Sequence, residues 1–314
     1  LIYKEISHQI AFINKKSITD LYIRIRNDYR LFAVKGAELP DEQFQQMQSS
    51  GLKLYISGND RAEIESKLDS NLKEVLMNPE VYPGIKAHIA YSISMKSIQE
   101  VFQVTNVYTL SELKKTSKKI AALISTDRRV VDNFMKISSS DHYTFNHAVK
   151  VGVYGTAMTI NLFQDRIKYH DLDELSMAFF LHDIGMTKVP STILDKKNEP
   201  LNESDWETIR KHPLWGKDKL SKANYSSEET TAVILYHHER YDGNGYPFKR
   251  SGDDIPLYAR ICAIADTFDS LTAGRPFKKA KTPFEALKTM QVEMAREFDP
   301  DLFRAFVMLL GSGK

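Results

Sequence analysis

Residues 236–247 read YHHERYDGNGYP, from Tyr236 to Pro247. The four residues before the histidines' tyrosine, Ala232-Val233-Ile234-Leu235, are apolar. His237, His238 and Glu239 therefore stand at an expected helix end, where side chains can converge on something held outside the helix. Asp242, Gly243, Asn244 and Gly245 then break the helix, because Gly and Asn tolerate positive φ and Asp and Asn bond their own backbone. A His pair at a helix end is, by itself, an ordinary cap. Its company changes that reading, since His147, the His182-Asp183 pair, His212 and Asp266 each lie in or at the end of a segment with helical periodicity. Neutral imidazoles and carboxylates are the donor set of Fe, Mn and Zn sites.

Working outward, 314 residues leave room for two domains and a sizeable core. Lys plus Arg number 43 against 41 acidic residues, a net +2. That balance is too mild to argue for duplex nucleic acid or an anionic membrane surface as partner. Cys262 is the single cysteine, which excludes an intrachain disulfide framework and a thiolate zinc site and suits a reducing compartment. No uninterrupted apolar run approaches a membrane span, so the expected localisation is the cytoplasm.

The fold expected is a small N-terminal α/β (α+β) domain over residues 1–78, followed by an all-α bundle over 79–314. In the first part, Ile18 to Ile25 and Tyr29 to Val34 carry β-branched and aromatic residues near period two, with a hairpin turn at Asn27-Asp28. Pro40 to Ser50 reads as a short helix, Leu52 to Ile56 as a strand, and Asn59 to Met77 as a helix. No convergent polar cluster marks this part as a site, so a regulatory or interaction module, with possible signalling partners, is the plain reading. Pro79, Pro83 and Gly84 signal the boundary. Residues 79–137 supply leading helices, among them Ser111 to Lys119, a basic solvated face without interleaved aromatics.

The metal-site core is expected over residues 138–314. Asn146 to Phe163 has Gly152 and Gly155 for close helix contact, Leu172 to Ile184 follows an Asp171 cap, and Asn202 with Asp205 caps a helix that runs to a break at Pro213. From Pro256 a helix buries the stripe Leu257, Ile261, Ile264, Phe268 and Leu271, while Cys262, Asp266 and Asp269 form a second face open to a cavity. Helices from Pro283 to Glu297 and Pro300 to Leu310 end the chain. His182 and Asp183 close an apolar helix, with Gly185 as its stop. Adjacent helical side chains diverge by about 100°, so this pair could serve two neighbouring ions with Asp183 bridging them through its two oxygens; the plainer alternative is an Asp183 contact with another helix.

The ordered set His182-Asp183-Ile184-Gly185, His212-Pro213, HHERYDGNGYP, Ile255 to Arg260, Ala265 to Thr272 and Arg275-Pro276 resembles the HD-GYP family, metal-dependent phosphodiesterases that act on the bacterial second messenger cyclic di-GMP. The resemblance runs from about Asp141 to Asp301. It implies an HD-type helical bundle with a dinuclear metal site, two divalent ions with Fe first and Mn next, and metal ligands at His147, His182, Asp183, His212, His237, His238 and Asp266. Asp183 would bridge, and a metal-bridging hydroxide would attack phosphorus to give pGpG and/or GMP. The resemblance also implies substrate contacts at Asp269, Arg275, Lys278 and Tyr246; Tyr241 and Tyr246 could stack on guanine, or simply pack. Two departures stand out. Met186 occupies the position of a Lys that serves catalysis, leaving Lys188 as the substitute beside His182 and Asp183, and Phe277 replaces a Tyr. Tyr143 stands where some members carry a Glu for a third ion, so two ions are expected. The alternative function is a catalytically weak or inactive member that binds cyclic di-GMP or a partner as an effector.

Overall fold

The computed structural model describes residues 3–6, 11–13, 16–26, 28–57, 75–79, 81–137, 143–194, 196, 200–274 and 280–311. The chain divides into two compact units, Leu1–Tyr91 and Ser92–Lys314. That division falls inside the helix Pro83–Gln103 rather than at residue 78. Proline accounts for the difference: Pro83 sits in the first turn of this helix, where its missing N–H costs nothing, so it opens an element and does not mark the end of a domain.

The first unit is α+β. Strands β1 (Tyr3–Ile6), β4 (Leu21–Ile25), β5 (Asp28–Ala33) and β6 (Leu54–Ser57) form an antiparallel sheet in the order β1-β6-β4-β5, and β2 (Phe12–Ile13) pairs with β3 (Lys16–Ser17). Ile25 pairs with Asp28, and Arg26 has φ 55°. Asp28 thus belongs to a strand. Asn27 itself, and the expected helix from Asn59 apart from its final turn at 75–77, lie outside the described residues. Leu21, Leu54 and Ile56 face Ala11, Phe12 and Met47 in a closed core against the helix Asp41–Ser49. Alternate residues Tyr22 and Tyr55 point the other way and meet Tyr3 and Tyr29 edge-on at 4.9 and 5.0 Å, while Tyr3 and Tyr29 stack on each other at 4.2 Å.

The second unit is helical. Helix Leu172–Leu181 is its centre, buried on every side from Glu174 onward, as a helix apolar all round must be. Helix Tyr143–Phe163 lies directly against it. A Cβ on Gly152 would run into the Phe180 ring, and one on Gly155 would reach 2.6 Å from Phe179, so both glycines are set by close approach. Helix Leu257–Thr272 packs on the other side of Tyr143–Phe163, Phe268 edge-on to Tyr154 at 5.5 Å. The stretch Ser111 to Lys119 is only partly the solvated face expected of it: Thr116 and Ser117 are buried, while Lys114 and Lys118 pair with Glu174 and Asp173 at 2.7 Å.

Helix starts follow their caps. Asp171 accepts from the Glu174 N–H, and Asn202 and Asp205 form a capping box. The latter helix ends at Ile209, and a second, His212–Lys222, begins with Pro213 in its first turn. Among the described residues no helix is long and apolar enough to cross a membrane.

Candidate metal centre

Three helix ends and two helix interiors bring the expected ligands together. His182 and Asp183 follow helix Leu172–Leu181, His212 opens His212–Lys222, His237 and His238 follow Glu228–Tyr236, and His147 and Asp266 come from within Tyr143–Phe163 and Leu257–Thr272. They form two groups whose ligand atoms lie within 4.8 Å of one another: Asp183, His212, His237 and His238, and His147, His182 and Asp266. Asp183 faces both. Its Oδ1 is 3.2 Å from His212 Nε2 and 3.6 Å from His237 Nε2, and its Oδ2 is 3.7 Å from His182 Nε2 and 3.9 Å from His147 Nε2.

The tautomers are set by what the other ring nitrogens touch. His182 Nδ1 donates to the Phe179 carbonyl at 2.9 Å, His212 Nδ1 to Ile209 at 2.8 Å and His237 Nδ1 to Ile234 at 2.9 Å. A carbonyl can only accept, so Nδ1 carries the proton and Nε2 keeps its lone pair. The two Nε2 atoms of His212 and His237 nonetheless stand 3.2 Å apart, and those of His182 and His147 3.4 Å apart. Lone pairs that close have no proton between them; a cation is what makes such convergence favourable. Burial pushes the His182 imidazolium down to about 4, so protonating His182 does not relieve its contact with His147, and burial holds His238 well below the ordinary histidine range. Burial also opposes ionisation of Asp183, but His182, His212 and His237 outweigh it and keep its carboxyl well below the usual range; His147 does the same for Asp266. His182 and His238 are therefore neutral and Asp183 and Asp266 ionised, the protonation states that divalent metals require. This donor set fits divalent metal binding.

Asp269 has a different place from the one expected of it. It is fully buried, with Oδ2 2.8 Å from His147 Nδ1, while Asp266 Oδ1 is 3.0 Å from His147 Nε2. Two carboxylates one turn apart on a single helix thus grip both nitrogens of one imidazole. Buried there, Asp269 orients the His147 ring. Lys188 has its exposed Nζ paired with Asp218 at 2.7 Å, because the short 3-10 turn Ile184–Lys188 carries it out to that neighbour. Tyr246 packs against His238, rings stacked at 4.7 Å and 26°. That ring face is used on His238. Arg275, Lys278 and Phe277 lie outside the described residues.

The loop after the His pair is built by two unlike glycines. Gly243 has φ 77°, whereas a Cβ on Gly245 would collide with the Arg240 amide and come within 2.5 Å of Glu239 Cα. Glu239 does not join the histidines; its buried carboxylate accepts from Phe248 N at 2.7 Å and Arg250 N at 3.0 Å and clamps the loop. Gly185 is no positive-φ helix stop either: a side chain there would strike the His212 carbonyl and approach Gly216 N to 2.6 Å. Above the ligands lies a cavity of about 450 Å³ whose lining includes Trp206, Arg210, His237, His238, Tyr246 and Asp266. Trp206 and Arg210 were not singled out in the sequence; a tryptophan on a short polar helix four residues ahead of Arg210 is the signal available for them.

The family model described as "HD domain" matches residues 142–302. The chain belongs to this family, and to its HD-GYP group. The HD-GYP chain is 35% identical over 193 residues to a cyclic di-GMP phosphodiesterase of Pseudomonas aeruginosa, covering 62% of this chain and 45% of that protein. It is 36% identical over 180 residues to a 3'3'-cGAMP-specific phosphodiesterase of Vibrio cholerae, covering 56% and 37%. This HD-GYP chain therefore spans less than half the length of each. Among solved structures, an HDG"Y"P protein of Bdellovibrio bacteriovorus aligns with a TM-score of 0.69 at 19% identity, over 99% of this chain and 100% of that one, a likeness of fold.

Proposed function

We propose that this chain is a metal-dependent phosphodiesterase that hydrolyses cyclic di-GMP to pGpG and/or GMP. The observation that carries the reading is Asp183, whose two oxygens face two separate groups of converging Nε2 and carboxylate donors. His147, His182 and Asp266 would hold one divalent ion and His212, His237 and His238 the other, with Asp183 shared. Fe is favoured, then Mn, because an O/N donor set without thiolate leans that way. Divalent ions held there would polarise the phosphodiester and make a nucleophile of water near neutral pH.

The chain's own residues orient the reaction. Asp269 fixes the tautomer and direction of His147, and the backbone carbonyls at 179, 209 and 234 do the same for His182, His212 and His237. Tyr246 supports the His238 ring. A second reading, an effector that binds the nucleotide with little turnover, is favoured by one feature: Met186 offers no proton or charge, and Lys188 is tied to Asp218. For the first unit we propose a regulatory or interaction role in a cytoplasmic protein.

The test is to purify the protein without oxygen, load it with Fe(II) or Mn(II), and follow cyclic di-GMP by product chromatography. pGpG or GMP is expected, and Met186→Lys should raise turnover by about 100-fold or less, the lower range for a general acid. No product from protein that contains two metals per chain would sink the enzyme reading in favour of the effector.

A further inference from the structure

The cavity above the candidate centre has a wall that the reaction as proposed leaves unused. Trp206 and Arg210 lie four residues apart, in and at the end of helix Glu203–Ile209, hence on one face. The helix is anchored through its neighbour Asp205, buried, bonded to Asn202 and paired with Lys196 at 2.6 Å. Trp206 plays no part in that anchorage and is 43% exposed. A large indole left open beside buried histidines and a buried carboxylate has a free π face where a ligand must pass.

Arg210 supplies the charge. The cavity's other arginine, Arg240, is occupied by Asp242 at 2.8 Å and Glu297 at 3.3 Å. Arg210 pairs through one nitrogen with Glu203, itself 72% exposed, a solvent-screened contact that competes weakly for a guanidinium. Arg210 lines the same cavity as Tyr246, the tyrosine stacked on His238.

We propose that Trp206 and Arg210 form a nucleotide-holding wall, the indole stacking on a purine base and the guanidinium donating to a phosphate of the same cyclic dinucleotide. The identity of that ligand rests on the phosphodiesterase reading. Stacking is tolerant of base identity because every base has a π face, so the wall serves guanine and adenine alike. Arginine suits the phosphate because its planar fork gives two parallel charge-assisted donors.

The experiment compares GMP with ribose 5-phosphate as ligands of the metal-loaded protein, by calorimetry, in wild type, Trp206→Ala, Trp206→Phe and Arg210→Ala. Trp206→Ala should weaken GMP on the order of 10-fold and ribose 5-phosphate far less, Trp206→Phe should recover most of the loss, and Arg210→Ala should weaken both. In turnover, Trp206→Ala should act on KM for cyclic di-GMP more than on kcat. Equal weakening of the two ligands by Trp206→Ala, or no weakening of GMP, would overturn the wall. Absence of cyclic di-GMP turnover in wild type would instead sink the phosphodiesterase reading, while the GMP and ribose 5-phosphate contrast still decides the wall.

Discussion

At the scale of single residues, the centre depends on groups that never touch a ligand. Asp269 is the clearest case: buried, 2.8 Å from His147 Nδ1, it turns Nε2 of that ring toward Asp266 and His182. Asn in its place keeps the size and removes the charge. Asp269→Asn should therefore lower metal affinity or activity about 10–100-fold, with metal content after dialysis as the direct measurement; full retention of metal would show that His147 needs no anionic partner. Cys262, by contrast, is buried and its thiol is pushed well above the ordinary range by burial first and by the nearby Asp266 and Asp183 charges. It stays a neutral small apolar group and no ligand.

At the scale of elements, the ligands meet because helices approach more closely than ordinary side chains allow. Gly152 and Gly155 admit Phe180 and Phe179 against helix Tyr143–Phe163, the helix that carries His147 toward His182. Gly155→Ala adds one methyl where 2.6 Å is available. Overpacking of this kind costs about 1–3 kcal/mol, which outweighs the gain of about 1 kcal/mol in helix propensity. A lower urea midpoint with an unchanged slope is expected, together with weaker metal retention; a raised midpoint would mean that the phenylalanine rings move aside freely. The same helix spacing was readable as small residues in an apolar run, whereas their partners, two adjacent phenylalanines on another helix, were not.

At the scale of the whole helical unit, Glu174 joins the elements behind the centre. Its carboxylate meets Lys114 at 2.7 Å and Tyr225 and Thr230 at 2.5 Å, linking helix Val107–Thr126 to the two helices that end in His182-Asp183 and in His237-His238. Burial alone would raise its pKa, but these donors and Ser227 outweigh burial and hold it below the model-compound 4.5. A carboxyl depressed in the folded state stabilises the fold above its unfolded pKa and loses that contribution as pH falls through the folded value. The stability difference between wild type and Glu174→Gln should thus be full near pH 7 and shrink progressively below about 4.5, read from thermal midpoints at stepped pH; a pH-independent difference would assign the effect to packing. The sequence by itself determined the helical class of this unit and singled out the seven His and Asp residues that the fold brings together, because apolar periodicity, caps and His/Asp spacing are local properties of the chain. It also carried the capping box at Asn202 and the loop-forming role of Gly243. Only the tertiary structure decided that Asp269 orients His147, that Lys188 goes to Asp218, that Tyr246 covers His238, and that Glu239 clamps a loop. Each of these roles is fixed by a partner far along the chain or across a turn, and which of several polar partners a side chain finds depends on how the helices pack, a quantity no local pattern encodes.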